Sequence, residues 1–508
     1  MKSYFKNILT VVAVIAVVAS CSLDEYPYGF YSSDNFYKTE EDAKAAVNYI
    51  YDAINYIEYS RAIVFLGDMN TDVMHPKGDA SASNKELDGW KSGNLKTNTT
   101  LGNFFKYSYI AINRANAVIE NVAKMENLDQ NIKNRYVGEA YFMRGYSYFC
   151  LARNFGCVPI HTKPVTTLEG SAVPAASSLD EMWGQVIGDL TTASGLLPFY
   201  AVPETGRVDK TAAYGFLAKA YLYLASAKEY KAPKYSDMKF DVENYYSEAA
   251  KYAGLVVDNA EQTTFHFEES LLDIYDVDKP AGPEHIFIMS MDRTGESEGQ
   301  YSKISKMYLP YISGATIYLR QGDTEEMIPT HDGWGEYQTE MDFYDSFENG
   351  DRRHDWLFCS EVYDKTGAVI ASLEDEKLKY PFCRKFIDPH FSGDKTSTKP
   401  YLLRYSDVAL IYAEAAGPCE KSYELVNFIR NRAGLGELSP NLDKEAFRAA
   451  VLNERKYELA FEGDYCYDLR RTNKVHTDVE NAKNQGLTAE DVLFYPIPQI
   501  ETDLNPNL

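Results

Sequence analysis

Pairs of helical segments that alternate small and aromatic residues constrain the fold of this chain more than any other feature. Residues 213–224 and 245–256 each repeat apolar side chains at the spacing of one helix face. Small residues allow two helix axes to approach, and aromatic residues fill the grooves between them. We therefore predict a mainly α protein with a scaffold of packed helical pairs.

Other helix signals occur on both sides of these pairs. Thr39 with Asp42 and Ser178 with Glu181 have the spacing of capping boxes, which mark helix starts. A long helix is predicted to begin near Ile132 and to end around Phe155, ahead of Pro159. Toward the C-terminus, we predict three further helices, over residues 403–416, 420–433 and 443–461.

Residues 261–400 differ in character from the segments around them. Gly, Pro, Asp and aromatic residues dominate there, and helical periodicity is poor. So many aromatic residues argue against disorder, and a long irregular segment is often functional. We expect four parts: a signal peptide (1–20), an N-terminal helical part (21–260), a loop-rich, ligand-facing part (261–400) and a C-terminal helical part (401–508).

The N-terminus has the three-part pattern of an export signal. Lys2 and Lys6 precede an apolar run over residues 8–18, which is too short to span a bilayer. Two small residues then precede Cys21, as in a bacterial lipobox, so we predict cleavage before Cys21 and lipidation of its thiol. The alternative is ordinary cleavage near Ala19, which leaves Cys21 as a free thiol.

Several blocks of this chain resemble those of SusD/RagB proteins and occur in that family's order. They include 111–122 (AINRANAVIENV), 139–160 (EAYFMRGYSYFCLARNFGCVPI), 206–225 (GRVDKTAAYGFLAKAYLYLA), 401–416 (YLLRYSDVALIYAEAA), 424–435 (ELVNFIRNRAGL), 453–471 (NERKYELAFEGDYCYDLRR) and 495–508 (YPIPQIETDLNPNL). The chain departs from the family at 464–466, where Asp-Tyr-Cys replaces a His-Arg-aromatic run. We interpret that run as structural.

The resemblance implies a fold and a role. The fold would have tetratricopeptide-like helical pairs that carry an irregular, ligand-binding half. The role would be that of a surface-exposed lipoprotein of the outer membrane. Such a protein captures oligosaccharides, or in some members peptides, and acts as the lid of a SusC-like TonB-dependent barrel transporter.

Signals for catalysis or for a cofactor are weak. The sequence has no H-E-x-x-H, P-loop or G-x-G-x-x-G motif, and its eight histidines have no metal-ligand spacing. We therefore predict no catalytic residue, no metal and no cofactor. A formal charge of -24 disfavours nucleic acid as a partner. We expect the charged residues within 454–471 to form an ion-pair network instead of an active site.

Aromatic residues in polar loops are the best candidates for a ligand site. Sugar rings present flat C–H faces that pack on indole or phenol rings, and their hydroxyls need polar partners at the edges. Trp90 and Trp334 are our leading sugar platforms, although each could instead be a buried loop anchor. The other candidates are the hydroxyl partners Asp68, Asn70 and Asp72, and the platform residues Tyr301, Tyr308 and Tyr318.

We hypothesise a non-catalytic protein that binds glycans at the cell surface. Surface capture of peptides or another nutrient remains open. So does a surface glycoside hydrolase with an unrecognised carboxylate pair, because such a pair is defined by its separation in space. A scaffold that binds only protein is a further alternative, since tetratricopeptide-like surfaces often do so.

Overall fold

Helices make up about 48% of the residues that the structure describes, and the strands are few and short. The computed structural model describes residues 36–91, 93–200, 206–259 and 262–508; the predicted signal peptide and Cys21 lie outside them. Among these residues we find no helix both long and apolar enough to cross a membrane. The mainly α fold class is therefore confirmed.

The α-helices of the described residues differ greatly in length between the parts of the chain. In chain order they are α1 (Glu40–Asn55), α2 (Ile57–Val64), α3 (Ala82–Asp88), α4 (Thr99–Val122), α5 (Gln130–Phe155), α6 (Leu168–Ser171), α7 (Leu179–Leu196), α8 (Lys210–Glu229), α9 (Val242–Val257), α10 (Ile304–Tyr308), α11 (Met341–Asp345), α12 (Arg352–Trp356), α13 (Tyr405–Ala416), α14 (Glu420–Arg432), α15 (Lys444–Glu458), α16 (Tyr465–Arg471), α17 (Val475–Asp478), α18 (Glu480–Asn484) and α19 (Gln499–Leu504). A π-helical turn, Phe65–Met69, continues α2, and 3₁₀ turns lie at Leu95–Thr97 and Asp273–Tyr275.

Most predicted helix boundaries agree with the structure. The Thr39 side chain accepts a hydrogen bond from the Asp42 N–H, and the Asp42 carboxylate accepts one from the Thr39 N–H, which is a complete capping box. Ser178 caps α7 in the same way, but the Glu181 carboxylate binds the N–H of Ser177 instead. These caps satisfy N–H groups that have no partner inside the helix.

The long helices pack in pairs around one large core. α8 packs on α9, and Tyr221 lies edge-on to Tyr245 and stacks on Tyr252 between them. α4, α5 and α7 pack in sequence beside them, and α9 also packs on α13. The predicted pairing of residues 213–224 with 245–256 is confirmed, with small residues and aromatic rings at the contact as expected.

Short strands connect the irregular part to this scaffold. They are β1 (Met74–Pro76), β2 (His285–Ile288), β3 (Thr316–Arg320), β4 (Met327–His331), β5 (Tyr337–Thr339), β6 (Phe358–Cys359), β7 (Glu361–Tyr363), β8 (Val369–Ser372), β9 (Phe382–Cys383) and β10 (Tyr401–Arg404). Antiparallel pairs form between β1 and β5, β2 and β10, and β6 and β9, and one sheet has the order β4-β3-β7-β8. Because residues 401–404 pair with β2, the helix predicted from residue 403 begins at Tyr405 instead.

A buried ion-pair network holds the C-terminal helices against the irregular part. Arg404 contacts Glu284 and Glu462 at 2.7 Å each, and its guanidinium also reaches Glu458 at 3.2 Å. Burial raises the pKa of Glu458, but the surrounding arginines outweigh it and lower the pKa to about 2. The network predicted for residues 454–471 is thus confirmed. Asp464, in the segment that departs from the family pattern, belongs to a second buried group of ion pairs with Lys219 and Arg455.

Candidate functional site

An open cleft beside Trp334 is the best candidate site among the described residues. Its volume is about 340 Å³, and it lies between the Trp334 loop and the start of α4. Trp334 is one of few large apolar side chains that are exposed, with 37% of its surface accessible. The lining residues are Arg61, Phe65, Ser81, Asn84, Thr99, Thr100, Asn103, Met307, Trp334, Glu336 and Tyr337. An exposed indole ringed by amides and hydroxyls has the composition of a sugar site.

Hydrogen bonds of its backbone hold the Trp334 loop in place. The Trp334 N–H donates to the Lys306 carbonyl at 2.7 Å, and the N–H of Gly335 donates to the Leu309 carbonyl at 2.9 Å. On the other side, the Lys77 ammonium donates to the Trp334 carbonyl at 3.4 Å. Both polar backbone groups of Trp334 are therefore held, and its ring is presented by a rigid support, which lowers the entropy lost on binding.

The opposite wall of the cleft is built from the first turns of α3 and α4. The Asn98 side chain caps α4 by accepting from the N–H groups of Thr100 and Leu101. The hydroxyls of Ser83 and Thr99 lie 2.6 Å apart and tie the two helix starts together. This arrangement places Thr100 and Asn103 of α4 along the wall. The Asn103 amide has no hydrogen-bond partner among the described residues, so it is free for a ligand hydroxyl.

Charged and aromatic groups complete the lining of the cleft. Glu336 accepts a hydrogen bond from the Asn84 amide at 2.9 Å and lies 3.5 Å from the Lys77 ammonium. The Tyr337 ring is buried between Phe65 and Tyr308. Burial raises the pKa of Tyr337 well above its usual value, so its hydroxyl stays neutral. The cleft thus offers hydrogen-bond donors and acceptors in addition to the indole.

The structure corrects our prediction for Trp90. Its side chain is only 1% exposed, and its Nε1–H donates to the Asn70 carbonyl at 2.9 Å. The ring stacks on Tyr495, and the Arg470 guanidinium lies 5.7 Å from its centroid. Trp90 is therefore the buried anchor that we held as its alternative, and its ring is enclosed by the protein.

Asp68 and Asn70 are also placed in the interior, against our prediction. The Asp68 carboxylate accepts hydrogen bonds from the N–H groups of Gly463 and Tyr465, at 2.7 and 3.2 Å. The Asn70 amide donates to the Tyr495 hydroxyl and to the Cys466 sulfur. Both side chains are fully buried, so they join the N-terminal part to the C-terminal part and cannot meet sugar hydroxyls.

The remaining predicted residues do not line the cleft. Asp72 is half-buried and accepts from the Glu480 N–H at about 3 Å. Our prediction for Tyr308 is also corrected, because its ring is buried, as that of Trp90 is, and stacks on Phe386. Tyr301 is half-buried beneath the Lys395 ammonium, and Tyr318 pairs with Tyr363 in the sheet. Of the eight predicted ligand residues, Trp334 alone reaches the cleft.

Our sequence analysis missed most of the cleft residues. Arg61, Ser81, Asn84, Asn103 and Glu336 come from four separate segments, and none has a motif of its own. One signal was present in the sequence: Glu336 stands two residues after Trp334 in the same glycine-flanked loop. The side chains on α2, α3 and α4 could be recognised only after the helices were packed.

The chemistry of the cleft favours binding over bond cleavage. A glycosidase needs two carboxyl groups on either side of the scissile bond. Glu336 is the one carboxylate among the described residues that line this cleft, and Asn84 and Lys77 already occupy it. We also find no group of three or more His, Cys, Asp or Glu side chains in the described part of the chain that could hold a metal ion.

Two family models match this chain over separate ranges. The model described as "SusD family" matches residues 283–508, and the one described as "Starch-binding associating with outer membrane" matches residues 23–222. "SusD-like protein P2" of Formosa agariphila is 26% identical, over 100% of this chain and 99% of its own length. Only residues 1–22 and 223–282 lie outside both models.

Solved structures share the fold of this chain. A "Laminarin binding SusD-like protein" superposes with a TM-score of 0.74 at 22% identity, covering 92% of this chain and 98% of its own. "Surface glycan-binding protein A" from Bacteroides thetaiotaomicron, solved with laminarihexaose, gives 0.69 at 19% identity, covering 91% and 97%. The same arrangement of helical scaffold and irregular part therefore recurs in these proteins.

Proposed function

This chain belongs to the SusD family, and from that premise we propose that it is a cell-surface protein that binds oligosaccharides in the Trp334 cleft without cleaving them. One observation carries the proposal: a rigidly held, exposed indole faces a wall of amide and hydroxyl groups. A sugar ring that packs on the indole would place its hydroxyls against Asn103 and Thr100.

The relatives support the class of ligand. One structural neighbour is described as laminarin-binding, and another was solved with laminarihexaose bound. These ligands are theirs, and the sugar taken by this chain is set by its own cleft. Because fold alone does not fix function, the argument for this chain depends on the residues around Trp334.

The cellular setting that we propose follows the family description and the N-terminal pattern. The matching model is described as associating with the outer membrane. We propose that Cys21 is acylated, that the protein is exposed on the surface, and that it delivers its ligand to a SusC-like TonB-dependent transporter. A Cys21→Ala variant should then move from the membrane fraction to the soluble fraction, and retention in the membrane would contradict the anchor.

Calorimetric titration against a panel of oligosaccharides and peptides tests the proposal. We expect binding of one or more glycans, no binding of the peptides, and no change in ligand length after prolonged incubation. Appearance of shorter products would favour the hydrolase alternative. Binding restricted to peptides would assign the same transporter role to a different nutrient, and co-purification of a barrel without any small ligand would favour a protein scaffold.

A further inference from the structure

Arg61 is a positive charge in the cleft that has no partner among the residues that the structure describes. It lies in the last turn of α2, is half-buried and lines the cleft with Trp334. Its guanidinium makes no ion pair and no hydrogen bond with any residue that the structure describes. This is unusual for a half-buried arginine, because removing the charge from water costs free energy unless a counter-charge replaces the solvent.

The carboxylate that lines the cleft does not act as the counter-charge of Arg61. Glu336 is the nearest acidic candidate in the lining, but its oxygens are bound to the Asn84 amide and lie near the Lys77 ammonium instead. No ion pair within 4.0 Å joins Glu336 to Arg61 in the described residues. The positive charge of Arg61 therefore remains available in the cleft.

We infer that the glycan bound in the Trp334 cleft carries an anionic group, a carboxylate or a sulfate ester, that pairs with Arg61. The planar guanidinium presents parallel N–H donors that match both of these oxyanions. The sugar ring would stack on Trp334 while its acidic substituent reaches Arg61. This inference rests on the proposed function, because it concerns the same cleft.

The expected preference for acidic glycans runs against the net charge of the protein, which is negative. With a formal charge of -24, the surface repels anions at long range. An acidic glycan would therefore be bound only by a local cationic group. Salt would screen both effects, so the selectivity is best measured at one fixed ionic strength.

Matched pairs of oligosaccharides test the inference on the full protein. An oligouronide is compared with its carboxyl-reduced form, and a sulfated oligosaccharide with its desulfated form, each by calorimetric titration. We expect the acidic member of at least one pair to bind about tenfold or more tightly than its neutral form. The pair that shows the difference tells whether the group is a carboxylate or a sulfate.

Variants test whether Arg61 causes the difference in affinity between acidic and neutral glycans. Arg61→Met should abolish the difference between the acidic and neutral members, and Arg61→Lys should restore part of it because the charge is kept. Arg114→Met is the matched control, since Arg114 pairs with Asp52 away from the cleft, and it should leave the selectivity unchanged.

Two outcomes separate this inference from the proposed function. If acidic and neutral glycans bind equally well and Arg61→Met changes neither affinity, the inference is overturned while glycan binding in the cleft stands. If no glycan of either charge binds, the proposed function fails, and the inference fails with it.

Discussion

A Cβ atom on Gly333 would lie 1.9 Å from the carbonyl oxygen of Leu309. No side chain fits at that distance, so only glycine allows the loop to approach the backbone after α10 so closely. The Gly333 N–H also donates to the Pro310 carbonyl at 2.7 Å. This close approach sets the position of the next residue, Trp334, at the cleft.

Gly333→Ala should therefore weaken glycan binding without touching the indole. The added methyl group must push the loop away from Leu309, which moves Trp334 and costs about 1–3 kcal/mol of stability. Gly188→Ala is the control, because nothing lies within 4 Å of a Cβ there. Calorimetric titration should show a loss of affinity in the first variant only; unchanged affinity in Gly333→Ala would contradict the role of this contact.

Trp90→Phe should separate the buried tryptophan from the exposed one. The change removes the Nε1–H that donates to the Asn70 carbonyl and leaves that buried oxygen without its donor. We expect a loss of about 1–3 kcal/mol in the free energy of unfolding, measured in urea. The glycan affinity of the folded protein should not change. A fall in affinity without any loss of stability would instead indicate that Trp90 belongs to the ligand site.

Asp68 should make stability depend on pH. Burial raises its pKa from 3.8 to about 7, although two backbone N–H groups bind the ionised form and lower the pKa. The folded state thus holds the proton more tightly than the unfolded state, so the contribution of Asp68 to stability falls as the pH rises from about 4 to about 7.

The comparison is made with Asp68→Asn, which cannot ionise. The difference in free energy of unfolding between the wild-type protein and this variant should be larger at pH 5 than at pH 8, by roughly 2–3 kcal/mol. Urea unfolding at both pH values measures it. A difference that stays constant across this range would show that Asp68 does not titrate there.

Arg404→Met tests the network that holds the irregular part to the C-terminal helices. The change leaves Glu284, Glu458 and Glu462 with less positive charge in the interior. We expect a loss of about 3–5 kcal/mol in the free energy of unfolding. Lys444→Met, which removes an exposed pair with Glu243, should cost no more than about 1 kcal/mol. Similar losses in both variants would argue against a special role for the buried network.

The helical half of the fold was accessible from sequence because its signals are local. Capping side chains such as Thr39, and small and aromatic residues at helical spacing, predicted α1, α5, α8 and α9 correctly. The strand at residues 401–404 was missed because it depends on pairing with β2, more than a hundred residues earlier. A contact at such separation leaves no local pattern.

The site was predicted less well, for a related reason. The polar composition around Trp90 suggested an exposed loop, but the partners that bury its ring, Tyr495 and Arg470, come from the far end of the chain. Asp68 likewise has the sequence context of a loop acid and becomes a buried acceptor only when Gly463 meets it. Trp334 lies exposed in its loop, as expected, because the adjacent glycines fix that loop within a few residues.

The most direct test of glycan binding in this cleft is a calorimetric titration of Trp334→Ala beside Trp356→Ala, with the tightest ligand of the panel. Trp356 is the matched control, because its ring lies at a separate surface and its Nε1–H donates to Asp323. We predict that Trp334→Ala weakens binding roughly tenfold or more, while Trp356→Ala leaves it within about twofold. Equal affinities for the wild-type protein and Trp334→Ala would contradict the account.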